Sequence, residues 1–98
     1  MTPRFVVRPI ALEEIFAAAE WYERRGGSLS AEFLRATDAV IAAIKRNPEQ
    51  FPKVHGAMRH ALLRRFPYSV VFTASAEEIV VLSCTHWRQD PERWQSRE

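Results

Sequence analysis

The sequence predicts an α+β domain in which a helical hairpin rests on a small antiparallel sheet. Three observations carry this: two N-terminal segments repeat apolar residues at spacings of three and four, three C-terminal runs are rich in β-branched and aromatic residues, and the connections between them are short. At 98 residues and 47% hydrophobic, the chain reads as one domain, 1–98, with enough apolar content for a core. A two-domain enzyme with a deep interdomain cleft is excluded.

Residues 4–8 (RFVVR) are β-branched and end at Pro9, which reads as a first strand. Leu12, Ile15, Phe16, Ala19 and Tyr22 then form one apolar stripe, predicting a helix over 11–25. Its acidic start (Glu13, Glu14) and basic end (Arg24, Arg25) suit the helix dipole, and Gly26 and Gly27 stop it. Ser28 or Ser30 caps a second helix carrying Phe33, Leu34, Thr37, Val40, Ile41 and Ile44, which Asn47 and Pro48 close. The short link makes the pair antiparallel. A punctuated loop over 47–57 precedes strands at 58–65, 68–74 and 79–85, and the connection 75–78 is short enough to pair the last two as a hairpin. Asp90 as cap and Pro91 at the first helical position open a short basic C-terminal helix. With both helices on one face, the other face of the sheet is expected to remain an open, concave surface for a partner.

A single cysteine, Cys84, excludes a disulfide framework and a Cys-based structural zinc site. His55, His60 and His86 show no HExxH-type spacing, so neither a metal nor a cofactor is expected. No apolar run approaches the ~20 residues that cross a bilayer. Arg8, Glu13 and Glu14 also interrupt any leader-like stretch, so a cytoplasmic protein with no membrane partner is the expectation. The net charge of +2 is uneven: residues 1–44 hold five Arg against six acids, residues 45–98 nine Lys and Arg against six. Such asymmetry attracts an acidic or phosphate-bearing partner, or is simply a solvated face.

The side chains with chemical reach are Lys53 and His55 in the loop, Arg59, His60, Arg64 and Arg65 on the next strand, and His86, Arg88 and Asp90 after the last one. Strand alternation puts Arg59 and Arg65 on one face and His60 and Arg64 on the other. Arg, His and Lys are what a metal-free ribonuclease uses: a base for the 2′-hydroxyl proton, a guanidinium for phosphate charge and an acid for the departing 5′-oxygen. Imidazole suits either proton role near neutral pH. The plainer alternatives stay open. Arg59, Arg64 and Arg65 then guard an edge strand, Cys84 (alternating with Leu82 and His86) is a small core residue, and Trp21, Trp87 and Trp94 pack.

An ordered set of motifs joins these pieces: Arg8-Pro9 before a helix carrying EWYE (Glu20 to Glu23), a second helix containing FL and ending in NPEQFPKV, then RRFPYSVVF, EIVVLSCTHWRQDPERW and a closing Arg97. Over nearly the whole chain this resembles the RelE/ParE superfamily of type II toxin-antitoxin toxins. His86, Arg88 and Asp90 look like the ending of the ParE-like branch. The lysine-rich loop and late tyrosine of RelE are missing, since Lys53 stands alone and no tyrosine follows Tyr68.

The resemblance implies an N-terminal strand, an antiparallel helical hairpin on a small twisted antiparallel sheet, and a short C-terminal helix. It also implies the toxin of a plasmid-stabilization type of toxin-antitoxin system, a growth inhibitor neutralised by a cognate antitoxin protein. On the ParE-like side the target is DNA gyrase and the toxin is not an enzyme, with Lys53, Arg65, Arg88, Arg93 and Trp94 as target-binding candidates. On the RelE-like side it is a metal-free endoribonuclease cutting mRNA on the ribosome, with Arg59, Arg64 and His86 as catalytic candidates and Trp87 where an aromatic hydroxyl is expected. An inactive or divergent binding module is the third alternative. The ParE-type ending favours gyrase. A homodimer, or a heterotetramer with the antitoxin, is the assembly an exposed apolar groove allows.

Overall fold

The computed structural model describes residues 2–97. Strand β1 (Arg4–Val7) leads into helices α1 (Pro9–Glu23) and α2 (Leu29–Arg46); a 3-10 turn (Pro48–Gln50) precedes β2 (Lys53–His55), β3 (Met58–Leu62), β4 (Tyr68–Ala74), β5 (Glu78–His86) and α3 (Glu92–Gln95). The five strands lie in the order β1-β5-β4-β3-β2. β1 runs parallel to β5 and every other neighbour is antiparallel. The expected α+β architecture is the one formed.

Local chemistry explains where element ends depart from the sequence reading. α1 begins at Pro9 rather than at 11, because proline's fixed φ suits a first helical position once Arg8 is extended. It stops at Glu23, and Gly26 (φ 84°) and Gly27 (φ 69°) take the left-handed conformations that reverse the chain. At the start of α2 the Ser28 hydroxyl turns to the Glu32 carboxylate (3.0 Å) instead of capping a backbone N–H. β2 lies inside the stretch expected to be loop; its three residues form an edge pair with β3 across an irregular register. β3 ends at Leu62, not at 65, so Arg64 and Arg65 lie in the connection to β4.

The main core sits between the hairpin and the sheet. α1 contributes Ala11, Ile15, Ala18, Ala19 and Tyr22, and α2 contributes Phe33, Thr37, Val40 and Ile44. Tyr22, Phe33, Phe66 and Tyr68 make an aromatic cluster with centroids as close as 5.0 Å for Tyr22–Phe66 and 5.2 Å for Phe33–Tyr68. Leu12 and Phe16, expected in the buried stripe, are 44% and 58% exposed. The buried arc is centred instead on Ala11, Ile15, Ala18 and Tyr22, where the alanines let α1 lie close against the sheet.

The far face of the sheet is not open throughout. Met58, Val71, Val80 and Leu82 form a second buried cluster there, with Val6 and Trp94 packed against it. Cys84 does not share a face with Leu82. The β4–β5 register steps from Val71↔Ser83 to Phe72↔Val81, so β5 carries one extra residue at Leu82, and that bulge returns Cys84 to the main core beside Val81.

Candidate functional site

Where the second cluster ends, the far face opens into a cleft of about 360 Å³ lined by His60, Ser69, Thr85, His86, Trp87 and Trp94, among others. Its floor follows from register: Leu62 pairs with Ser69 and Ser69 with Thr85, and His60 lies two residues from Leu62 on the same face. The turn after β5 supplies one wall and the C-terminal segment another. Such a concave surface with few polar groups is the usual form of a binding site.

The C-terminal wall is held by a clamp at the edge of β5. Both Arg97 Nη atoms donate to Glu14, at 2.9 Å to Oε1 and 3.2 Å to Oε2, and Nη1 also donates to the Leu82 carbonyl at 3.1 Å. Glu14 Oε1 further accepts the Cys84 N–H and the Ser83 hydroxyl, each at 3.1 Å. Because β1 ends at Val7, these β5 backbone groups have no neighbouring strand, and the two side chains take its place. Arg8 closes the arrangement by donating to the Arg97 carbonyl at 3.1 Å. In sequence Glu14 reads only as a favourable charge at a helix start and Arg97 only as the last piece of a motif. Their separation along the chain hides the pair.

His86 is oriented by its own turn. Its Nδ1 accepts the Arg88 N–H at 3.0 Å and its backbone N–H donates to Gln89 Oε1 at 3.0 Å, so in the neutral ring the proton is assigned to Nε2. The ring meets Tyr68 edge-on at 5.2 Å. Burial lowers the His60 pKa from its ordinary 6.5, leaving a neutral imidazole at pH 7.

The other candidate residues separate. Arg59 lies opposite Phe72, on the face away from His60, and donates to the carbonyls of Phe51 (2.6 Å) and Glu49 (3.5 Å); it ties down the loop and does not reach the cleft. Arg64 and Arg65 are not on strand faces at all. They line a distinct recess with Glu32, Arg35 and Phe66, and Arg65 is 3.3 Å from Glu32. Lys53 is exposed on the β2 edge. Arg88 is exposed beside His86, Arg93 lies 3.9 Å from Glu14, and Trp94 splits its surface between the second cluster and the cleft, with His55 edge-on at 6.4 Å. The structure therefore brings together His60, His86, Trp87 and Trp94. Among the described residues, no three His, Cys, Asp or Glu side chains gather as a ligand set, and no helix is long and apolar enough to cross a membrane.

No family model and no curated protein matches this sequence. Among solved structures, a chain of the chromosomal ParDE TA system from P. aeruginosa superposes on it with a TM-score of 0.76, covering 87% of this chain and 96% of that one at 17% identity. The two chains share one fold. It is the ParE-like architecture that the sequence motifs implied, strand, helical hairpin, sheet and short C-terminal helix.

Proposed function

We propose that this chain is the toxin component of a type II toxin-antitoxin system, a growth inhibitor that acts on DNA gyrase in the cytoplasm and is silenced by a cognate antitoxin. The ParE-like fold is the observation that carries this reading. The dispersal of the arginines supports binding over cleavage, because Arg59 holds a loop and Arg64 and Arg65 line another recess. Among the described residues, no guanidinium lines the cleft to neutralise a phosphate in the transition state. Contact with the target is assigned to the C-terminal end, with Arg88, Arg93 and Trp94 central and Trp87 (58% exposed) beside them, whereas Lys53, on the β2 edge, and Arg65, in the recess beside Glu32, stand apart from that surface. A gyrase supercoiling assay tests it directly: purified toxin slows supercoiling, Trp87→Ala and Arg88→Ala weaken the effect, and unchanged supercoiling at saturating toxin refutes the reading.

The antitoxin is assigned to the outer face of α1. Leu12 and Phe16 lie there in a groove of about 520 Å³ with Pro9, Glu13, Ala17 and Glu20, on the side away from the core. An amphipathic segment covering this groove removes apolar surface from water without disturbing the fold. Phe16→Asp then releases growth arrest from antitoxin control while leaving toxicity intact, as read in cells expressing both proteins.

A second reading is favoured by one observation, that His60 and His86 line the same cleft. Neutral His60 can take the 2′-hydroxyl proton, becoming imidazolium, and His86 in its imidazolium form can supply one to the leaving 5′-oxygen and return to neutral, which makes the chain a metal-free ribonuclease acting on translated message. Primer extension distinguishes it: codon-positioned cuts that His86→Ala abolishes support cleavage, and intact message with wild-type toxin rules it out.

A further inference from the structure

We infer that the cleft on the far face of the sheet is a binding site for a single uncharged nucleobase, stacked on its indole walls and hydrogen-bonded to the paired hydroxyls of Ser69 and Thr85. These two residues lie directly opposite each other on β4 and β5 and form part of the cleft floor. Ser69 is 8% exposed and Thr85 4%. Among the described residues neither hydroxyl has a hydrogen-bond partner. Ser83 and Thr37 are buried as deeply, yet both donate within the fold, to Glu14 at 3.1 Å and to the Phe33 carbonyl at 3.0 Å. Among the same residues no sealed side-chain N or O atom lacks a partner, so the Ser69 and Thr85 oxygens belong to the little surface these residues keep, which opens into the cleft. Buried polar groups are ordinarily paired inside a protein, and two left open side by side point to a ligand that pairs them.

The chemistry of the lining narrows the occupant. Among the described residues no carboxylate, guanidinium or ammonium lines the cleft, so a charged ligand would lose its hydration without gaining an opposite charge. His60 is kept neutral at pH 7 by burial, and His86, whose Nδ1 already accepts the Arg88 N–H, has Nε2–H to offer. Whatever enters displaces solvent from two hydroxyls and two imidazoles and must replace the hydrogen bonds that solvent made. An aliphatic group replaces none of them.

The walls select a flat partner. Trp87 is 58% exposed and Trp94 presents part of its ring to the same cleft, and indole faces stack on bases of any sequence. A volume of about 360 Å³ stands at the small end of ligand sites, suited to one ring system rather than a run of chain. A flat, neutral ring with donors and acceptors around its edge is a nucleobase, carried by a free nucleoside or by an unpaired nucleotide of a strand. The inference goes beyond both readings above, because it requires neither gyrase inhibition nor cleavage. Binding is read with gyrase and ribosome absent, so its failure leaves the supercoiling and primer-extension results to stand by themselves.

The three tryptophans give the test an internal control, because Trp87 and Trp94 line the cleft whereas Trp21 lies on α1 and does not. Magnetic resonance of the nitrogen-labelled full chain follows the indole N–H signals, assigned with Trp87→Phe and Trp94→Phe, during titration with adenosine, guanosine, cytidine and uridine and with short oligoadenylate and oligouridylate. At least one nucleoside shifts the Trp87 and Trp94 signals saturably and leaves Trp21 in place. An oligomer that binds more tightly than its nucleoside identifies a strand as the source, and equal affinity identifies the free nucleoside. Trp87→Ala weakens binding about tenfold through lost stacking. Ser69→Ala and Thr85→Val each weaken it about fivefold. Neither hydroxyl variant lowers the urea midpoint, since neither removes a bond within the protein. The inference is overturned if no nucleoside or oligomer shifts Trp87 and Trp94, if ribose 5-phosphate alone reproduces the shifts, or if both hydroxyl variants bind like wild type. It is equally overturned if their weaker binding tracks a lowered urea midpoint, or if N-acetyltyrosinamide, standing for an aromatic side chain of a protein partner, binds more tightly than every nucleoside.

Discussion

Three sites show how packing alters ordinary chemistry. Burial pushes the Cys84 thiol up to about 12, with the Glu14 carboxylate adding to the effect, so the thiolate is scarce at neutral pH. Iodoacetamide should label it only as the protein unfolds, and mass spectrometry showing rapid labelling of folded protein would contradict that. His60 has its pKa lowered from 6.5 by burial, so as pH falls the unfolded chain takes up this proton before the folded one. Stability should decline below about pH 6.5 and level off beneath the folded-state pKa, and His60→Gln should flatten that part of the curve in urea titrations. The Glu14–Arg97 pair is the third case, with side chains only 12% and 16% exposed. Arg97→Ala removes the closer of the two cations beside a largely buried carboxylate and leaves only Arg93 at 3.9 Å, an expected loss of about 3 kcal/mol in denaturant unfolding, whereas Glu14→Gln with Arg97→Met should lose less. The sequence displays each of these residues but not their surroundings, which depend on elements distant along the chain.

Helix α1 illustrates what an apolar period leaves undecided. Ile15 and Phe16 both belong to the stripe read from the sequence, yet one is 5% exposed and the other 58%. The spacing establishes a helix, while its rotation is chosen by the alanines at 11, 18 and 19, which permit close approach to β5. Ile15→Ala should therefore cost about 2–5 kcal/mol in chemical denaturation, and Phe16→Ala less than about 0.5. The β3–β4 connection departs from its strand-like sequence because Arg65 is left-handed and Pro67 lacks a donor. Arg65→Gly should be nearly neutral in stability, since relief of about 1 kcal/mol of backbone strain is offset by the greater freedom of glycine in the unfolded chain. β2 is not legible in the sequence, because a strand of three residues is too short to show alternation.

At the scale of the molecule, the sheet has two unlike faces. One is covered by the hairpin, and the other is divided between a patch sealed by Trp94 and an open cleft. Truncation before Asp90 removes Trp94 and Arg97 together, and should expose the Met58, Val71, Val80 and Leu82 cluster, read as increased binding of a hydrophobic dye. The sequence by itself determined the α+β class, the order of the helices and the three long strands, and the ParE-like resemblance, because periodicity, turn residues and local motifs are written in neighbouring positions. Only the tertiary structure decided which arginines meet which partners. A bulge of one residue at Leu82 changes the facing of everything after it, and the closure of the C-terminal segment through Arg97 depends on a carboxylate 83 residues earlier. Side-chain direction and long-range pairing are set by the assembled sheet, so the cleft, the clamp and the arginine recess exist only once the chain has folded.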